Sequence, residues 1–382
     1  MKILFINQEG HVAGSTLSLS YLAEGLARKG HTVYVACRPA TLQSSLVSES
    51  GVTMIPLTIN GALDTAAIRR IRDIVRHYEI DIVNAQSSKD RYASIFSRFF
   101  YKLPCVLVHT RRQMPSSSGG KLQAWFYTRG TDAMIAVSNP VKQGLIEKGI
   151  PAGHIHVIHN GTPRGKYSAL DSSVTDKLRE RHRLSSHAKV IGCVARSSRR
   201  KHHLQLVRAL QYVREPVVVL FVGADMRPEY AKAIRAIEHQ HTVHFCGIVP
   251  PVESLHYFKL FTMLVLPSTM EGLSQSVLEA MALGVPAVAT ASGGNIDLIR
   301  DGENGLLFRN RDIQGLAHCI ERLLGDKSLR TTIAAQGKQT AFVEFSIAHT
   351  IRRHDQFFRS LVERASAKGW NTPNALSEPG GA

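Results

Sequence analysis

The chain has 382 residues, 44% of them hydrophobic and 20% charged, with a formal net charge of +17 at pH 7. That length suits two domains of ~150–200 residues with ample material for two cores, and no apolar run nears the ~18–20 residues that would span a bilayer. Cys37, Cys105, Cys193, Cys246 and Cys319 form no Cys-x-x-Cys pair and no tight cluster with histidine, which points to a reducing cytoplasm and away from a structural zinc. Residues 1–165 hold 19 Lys+Arg against 10 Asp+Glu and the rest 28 against 20, so the basic excess is shared by both halves. Nucleic acid, anionic lipid and an anionic substrate all fit such a charge. No zinc-finger, RNA-recognition or basic-zipper pattern favours the first.

Strand-like apolar runs alternate with amphipathic, helix-length segments, which predicts an α/β chain of parallel sheets covered by helices on both faces. The start turns polar by Asn7, so 3–6 reads as a first strand and not as a secretory signal. A loop over 8–15 carries Gly10 and Gly14, and 16–29 is a helix with Leu17, Tyr21, Leu22 and Leu26 on one face. The loop after the first strand of an open parallel sheet is where ligands dock. Gly14 is therefore a candidate for close approach to a diphosphate, with turn geometry alone as the plainer alternative.

Strands follow at 32–36, 53–57, 81–84 and 105–108, with helices near 65–78 and 91–101. The last strand delivers His109, Thr110, Arg111 and Arg112 at its carboxyl end. The two arginines are either surface charge or contacts for an anionic acceptor or lipid headgroup. A polar loop from Ser116 to Gly120 precedes Lys121, Trp125, Phe126 and Tyr127, which suit either a lip resting on a membrane or ordinary helix core. A strand at 131–137 leads to Ser138, which caps a helix that Pro140 starts, and 156–158 is a further strand. Residues 1–165 are thus read as one domain, 166–187 as a linker with a short helix, and 188–345 as a second domain.

The second domain opens with a strand at 190–195 that delivers Arg196, and Lys201 follows at the start of a helix. One forked donor and one point charge at a strand-to-helix turn suit a diphosphate. Strands at 217–222 and 243–246 end in Gly223 and Gly247. The strand 263–266 then leads into the most informative stretch, 271–294. A helix opening near Ser274 puts the amides of Gly272, Leu273 and Ser274 at its positive end, where an anion binds readily. Glu271 lies just outside that helix, and Glu279 about one and a half turns inside it. Carboxylates on either side of an anion site suit an extended ligand with hydroxyls at both ends, which is the shape of a nucleotide diphosphate sugar. Gly284 and Pro286 stop the helix, 287–290 is a strand, and Gly293-Gly294 follow. Helices near 313–324 and 329–342, a basic amphipathic helix over 346–366 and a disordered tail over 367–382 complete the chain.

Glu271 and Glu279, then Ala280, Ala282, Gly284, Pro286 and Val288 at alternate positions, then Gly293-Gly294 and Asp301-Gly302-x-x-Gly305, resemble the C-terminal signature of family 4 retaining glycosyltransferases. The first helix, Leu22-Ala23-Glu24-Gly25-Leu26-Ala27-Arg28-Lys29-Gly30-His31, is similar to that family's as well. The resemblance covers nearly the whole chain and is most specific from Arg196 to Gly305. It implies a GT-B fold, two doubly wound Rossmann-like domains facing across a cleft, with the last helix crossing back to the first. It implies transfer of a sugar from a nucleotide diphosphate sugar to an acceptor hydroxyl with retention. Arg196, Lys201 and the amides from Gly272 to Ser274 would then hold the diphosphate, Glu279 the ribose and Gly247 the base side. His109 and Glu271 would face the transferred sugar. The chain departs from the family at Ala13, Ala195 and His202, where glycines are usual, and at Asp297, where a glutamate is usual.

No Asp-x-Asp occurs, which favours cationic over metal-bridged diphosphate binding, so no metal or other cofactor is expected. The expected partners are the donor and a glycan or lipid-linked acceptor, with contact to an anionic membrane surface on the cytoplasmic side. Two alternatives stay open: a nucleotide-sugar epimerase or sugar phosphorylase of the same architecture, and a basic non-catalytic protein that binds membrane or nucleic acid.

Overall fold

The computed structural model describes residues 1–9, 14–41, 43, 51–115, 120–168 and 170–367. It divides into two units, Met1–Gly161 with the chain from Ile347 onward, and Thr162–Ser346.

The first unit is built on a parallel seven-stranded sheet in the order β3-β2-β1-β4-β5-β6-β7. Its strands are β1 (Lys2–Asn7), β2 (Thr32–Cys37), β3 (Thr53–Pro56), β4 (Ile82–Ala85), β5 (Val106–Arg111), β6 (Ala133–Ala136) and β7 (Ile155–Val157). Helices begin where the sequence supplies caps. Asp64 accepts from the Ala67 amide at 3.0 Å, and Ser87 and Asp90 form a reciprocal capping box. Ser138 caps the Asn139–Glu147 helix, as the sequence leads one to expect.

On one face of the sheet, Ile3, Phe5, Val33 and Val35 pack with Leu19, Leu22 and Leu26 of the Gly14–Arg28 helix and with Phe358, Leu361 and Val362 of the Ile347–Ala367 helix. Complete burial of a side chain such as Phe358 contributes ~2–3 kcal/mol. The approach of these two helices explains Gly25, whose added Cβ would lie 2.0 Å from the Ile351 side chain. Asp355 anchors the later helix by accepting from His31 and from Arg359 Nε, each at 2.8 Å.

The second unit carries a parallel six-stranded sheet in the order β10-β9-β8-β11-β12-β13. Its strands are β8 (Val190–Val194), β9 (Val218–Val222), β10 (Thr242–Phe245), β11 (Met263–Leu266), β12 (Ala287–Thr290) and β13 (Leu306–Phe308). Its core joins Ile191, Phe221, Val265 and Val288 to Leu316, Ile320 and Leu323 of the Ile313–Gly325 helix. The strand order reverses between β1 and β4 in one unit and between β8 and β11 in the other. In open α/β sheets ligands bind beyond the strand ends at such a switch point.

The boundaries differ from those read in the sequence. The chain enters the second unit at Thr162, and the stretch read as a linker belongs to it. There the Ser172–Arg181 helix is held beside the Pro251–Phe258 helix, with His182 Nε2 3.2 Å from the Tyr257 hydroxyl. Polar composition hides that packing, because Leu178 is the only buried side chain of the short helix. The tail expected over 367–382 and the loop over 116–119 lie outside the described residues, apart from Ala367.

Candidate active site

In the second unit, the loops that follow β8, β11 and β12 are tied together at the switch point. The Arg200 carbonyl accepts from the Thr269 amide at 3.1 Å and the Ser268 hydroxyl at 3.2 Å. His202 Nε2 lies 3.2 Å from Thr269 Oγ1, and Ser292 Oγ donates to the Thr269 carbonyl at 3.3 Å. His202 has φ +48, in the left-handed region. That accounts for glycine at this position in the resembling family and makes the histidine a strained substitute, by ~1–2 kcal/mol.

Gly293 and Gly294 close the cluster from the other side. The Gly294 amide donates to the Glu271 carbonyl at 2.8 Å. A Cβ on Gly294 would sit 2.0 Å from the Gly272 oxygen, and one on Gly293 would sit 2.4 Å from the Glu271 oxygen. Backbone therefore lies directly on backbone, and the glycine pair sets the conformation of residues 271–273.

Ser274 caps the Gln275–Ala282 helix through its hydroxyl, which accepts from the Val277 amide at 3.3 Å. The amides of Gly272, Leu273, Ser274, Gln275 and Ser276 donate to no protein acceptor among the described residues. Such a run of unmatched N–H groups is costly unless an acceptor meets it. Arg196, one residue beyond Ala195 at the end of β8, is exposed and has no acidic partner among the described residues. Lys201 donates to Glu271 Oε1 at 2.5 Å. Lys166 donates to Glu279 Oε1 at 2.5 Å, with both side chains largely covered. Each of the two glutamates singled out in the sequence is therefore held by a lysine.

Lys166 was not among the residues picked from the sequence. It lies in the Arg164–Tyr167 turn, in a stretch that reads as a polar linker, and its partner is 113 positions away. No local signal could have paired them.

Gly247 has φ +65 and serves the turn after β10. Its amide donates to the Ala224 carbonyl at 3.1 Å and its carbonyl accepts from Gly223 at 2.8 Å, so both backbone groups are engaged within the protein. Asp297 lies half-buried in the short Asn295–Leu298 helix.

In the first unit, Gly14 is the first residue of the Gly14–Arg28 helix, and its carbonyl accepts from Ser18 Oγ at 2.8 Å. Gly10 and Ala13 lie outside the described residues. His109 does not end its strand. β5 runs on to Arg111, and His109 pairs in register with Ala85 and Met134. The imidazole is fully buried, 5.8 Å from the Tyr127 ring, with neither nitrogen hydrogen-bonded among the described residues. Burial, reinforced by the charge of Arg91, holds its pKa well below the usual histidine range, so it is neutral. Trp125 is 57% exposed, whereas Phe126 stacks 5.6 Å from Tyr92.

Among the described residues no group of three or more His, Cys, Asp or Glu side chains is placed to hold a metal ion, and no helix is long and apolar enough to cross a membrane.

Parallel sheets with an anion-ready loop cluster at a switch point define a class of nucleotide- and phosphate-binding α/β proteins. Comparison narrows that class. The profile of the family described as Glycosyl transferases group 1 matches residues 174–340, and that of Glycosyltransferase Family 4 matches residues 12–164. The chain belongs to the family 4 glycosyltransferases. It is 30% identical over 222 residues to the lipopolysaccharide core biosynthesis glycosyltransferase LpsE of Rhizobium meliloti, covering 58% of this chain and 62% of that protein. It is 24% identical over 243 residues to the capsular polysaccharide biosynthesis glycosyltransferase CapM of Staphylococcus aureus, covering 62% and 63%. The matches thus span less than two thirds of either relative. Among solved structures, Anabaena Alr3699/HepE in complex with UDP-glucose superposes with a TM-score of 0.80 at 22% identity, over 94% of this chain and 100% of that one. This likeness shows the fold, GT-B.

Proposed function

We propose that the chain is a retaining glycosyltransferase that moves a sugar from a nucleotide diphosphate sugar to an acceptor hydroxyl in the synthesis of a cell-surface glycan. The observation that carries this reading is the run of amides from Gly272 to Ser276 with no protein acceptor among the described residues, at the switch point where the loop after β8 also leaves Arg196 exposed and without an acidic partner among those residues. Relatives named for lipopolysaccharide core and capsular polysaccharide synthesis support the class of product, and the UDP-glucose complex of Alr3699/HepE supports the class of donor.

In the reaction proposed, the bond from the anomeric carbon to the diphosphate oxygen breaks and the electron pair stays with the diphosphate. Arg196 and the amides from Gly272 to Ser274 meet the charge as it develops. Lys201, released from Glu271, adds a point charge. That exchange frees the Glu271 carboxylate to orient the sugar. The acceptor oxygen attacks from the face the leaving group vacates, which retains configuration, and its proton passes to the departing phosphate oxygen. Glu279, oriented by Lys166, holds the ribose hydroxyls. Gly14, at the start of its helix, is assigned to donor binding on the resemblance alone, and Gly247 on the resemblance together with the φ +65 turn after β10.

His109 is assigned to the sugar on the resemblance, and because its imidazole is fully buried in this structure, contact requires the donor-bound form to uncover it. A buried imidazole with both nitrogens unpartnered is expensive, and a function would account for its retention. No metal is required in this scheme. An anionic lipid surface is a second partner in keeping with the net charge of +17.

The test is a thermal-shift screen against UDP-, GDP- and ADP-sugars, followed by product analysis with the donor that binds. A stabilising donor and a new glycoside are expected, and Glu271→Ala should lower turnover at least ~100-fold. An epimerised donor, phosphate-dependent release of the sugar, or turnover untouched by Glu271→Ala would each overturn the reading.

A further inference from the structure

Four arginines of the first unit, Arg28, Arg72, Arg98 and Arg359, are matched to acids among the described residues. Arg98 grips Asp132 through bonds of 2.6 and 3.0 Å, and Arg359 donates to Asp355. Arg91, Arg111 and Arg112 are not. Arg112 donates Nε to Gln86 Oε1 at 2.8 Å and Nη1 to Asn160 Oδ1 at 2.9 Å. Arg91, 2% exposed, donates Nη1 to the Gln86 carbonyl at 3.2 Å and Nη2 to Ser88 Oγ at 2.9 Å. Arg111 donates only Nε, to the Gln113 carbonyl at 3.1 Å. Every acceptor is neutral, and none of the three arginines has an ion pair among the described residues.

Two acids lie near enough to be felt. Glu9 is exposed and acts on Arg111 and Arg112 through space, and the buried Asp90 carboxylate is occupied by the Ser87 and Gln8 amides. Burial, helped by the like charge of Arg91, lowers Arg111 to about 10, and burial lowers Arg112 to about 10.

Arg91 is buried and Arg111 and Arg112 are half-buried, and a guanidinium drawn that far from water without a carboxylate is costly. Here the neutral partners orient Arg112 without neutralising it. Gln86 is fixed in turn, because its Nε2 donates to Asn84 Oδ1 at 2.7 Å, and Thr110 Oγ1 donates to the same oxygen at 2.9 Å. Arg112 Nη2 and both terminal nitrogens of Arg111 keep their donors unspent among the described residues. The cluster stands where β4 and β5 end, beside the switch point of the first sheet.

We propose that Arg111 and Arg112, backed by the field of Arg91, form a binding site for a phosphate group carried by the acceptor. That the phosphate belongs to the acceptor rests on the glycosyltransferase reading; the anion site itself does not. Forked guanidinium donors match phosphate oxygens in pairs. A phosphate on a soluble polyol or sugar and a phosphate in a lipid headgroup offer the same chemistry.

The test measures binding of glycerol 1-phosphate by calorimetry, and of phosphatidylcholine vesicles containing phosphatidic acid by co-sedimentation, for the full chain and for Arg111→Gln and Arg112→Lys. Arg111 makes one bond to protein, so Arg111→Gln keeps the test sound if Arg112→Lys folds poorly. The difference between variant and parent isolates this site from anion binding elsewhere. At least one of the two probes is expected to bind about ten-fold more weakly to Arg111→Gln. A loss confined to vesicles assigns a lipid headgroup, and a loss with glycerol 1-phosphate assigns a soluble ester. Equal binding of both probes by parent and Arg111→Gln overturns the proposal. Nucleoside diphosphate affinity, measured alongside, should be the same in parent and variant. Its absence from the parent would count against the glycosyltransferase reading and not against this site.

Discussion

Replacing Gly294 with alanine tests the loop cluster directly. The new methyl would lie 2.0 Å from the Gly272 oxygen and 2.8 Å from the Leu273 Cα, more than an ångström inside ordinary contact with the first. Both neighbours are backbone, so no side chain can swing aside and the 271–273 turn itself must shift. Overpacking of this kind costs ~1–3 kcal/mol or more. For a unit of this size that corresponds to a fall in Tm of roughly 2–12 °C. Displacing the amides of Gly272 to Ser274 by ~1 Å should also lower kcat/KM about 100-fold. Gly284→Ala is the control. Gly284 has φ +70 with nothing within 4 Å of an added Cβ, so the substitution strains the backbone by ~1–2 kcal/mol without moving the turn. Calorimetric titration with the nucleoside diphosphate that binds should therefore separate two variants of similar stability. Gly294→Ala with parental affinity, or Gly284→Ala with an equal loss, would refute the reasoning.

Lys166→Met leaves Glu279 without its partner, and nucleoside diphosphate binding should weaken about ten-fold while pyrophosphate binding is spared. An equal loss for both ligands would place Lys166 on the phosphates. His109→Leu removes two unpartnered buried nitrogens and should leave Tm unchanged or raised, yet lower turnover ~100-fold; parental turnover would remove His109 from the reaction. Asp90 has its pKa raised to about 6 by burial, against which hydrogen bonds from Ser87 and Gln8 pull it down. The folded form thus holds a proton that the unfolded chain has lost, and stability falls as pH rises from about 4 to about 6. Asp90→Asn should flatten that part of the urea-denaturation pH profile, and an unchanged slope would mean that Asp90 is already ionised in the folded protein.

Both sheets are legible in the sequence because parallel strands buried on both faces read as short apolar runs, as in Met263 to Leu266. The turn from Glu271 to Ser274 is legible for a different reason. Its geometry depends on glycines and a capping serine, and those residue types have few other uses in that order. Lys166 and His109 show what local pattern leaves out. Lys166 gains its meaning from Glu279, far away in the chain. His109 looks like the end of a strand because Thr110, Arg111 and Arg112 are polar, whereas pairing with β6 carries the strand on to Arg111. An edge of polar residues marks the end of an apolar face, which need not be the end of the ladder.

The Thr162 amide donates to the Phe345 carbonyl at 2.9 Å, and Thr162 and Ser346 form a parallel bridge. The second unit is therefore a loop of chain closed at its own base, inserted into the first. During synthesis it can finish folding while the first still lacks the Ile347–Ala367 helix, leaving Phe5 and Leu19 uncovered until Phe358 arrives. A message truncated between the two would yield a sound second unit tethered to an unfinished, sticky neighbour.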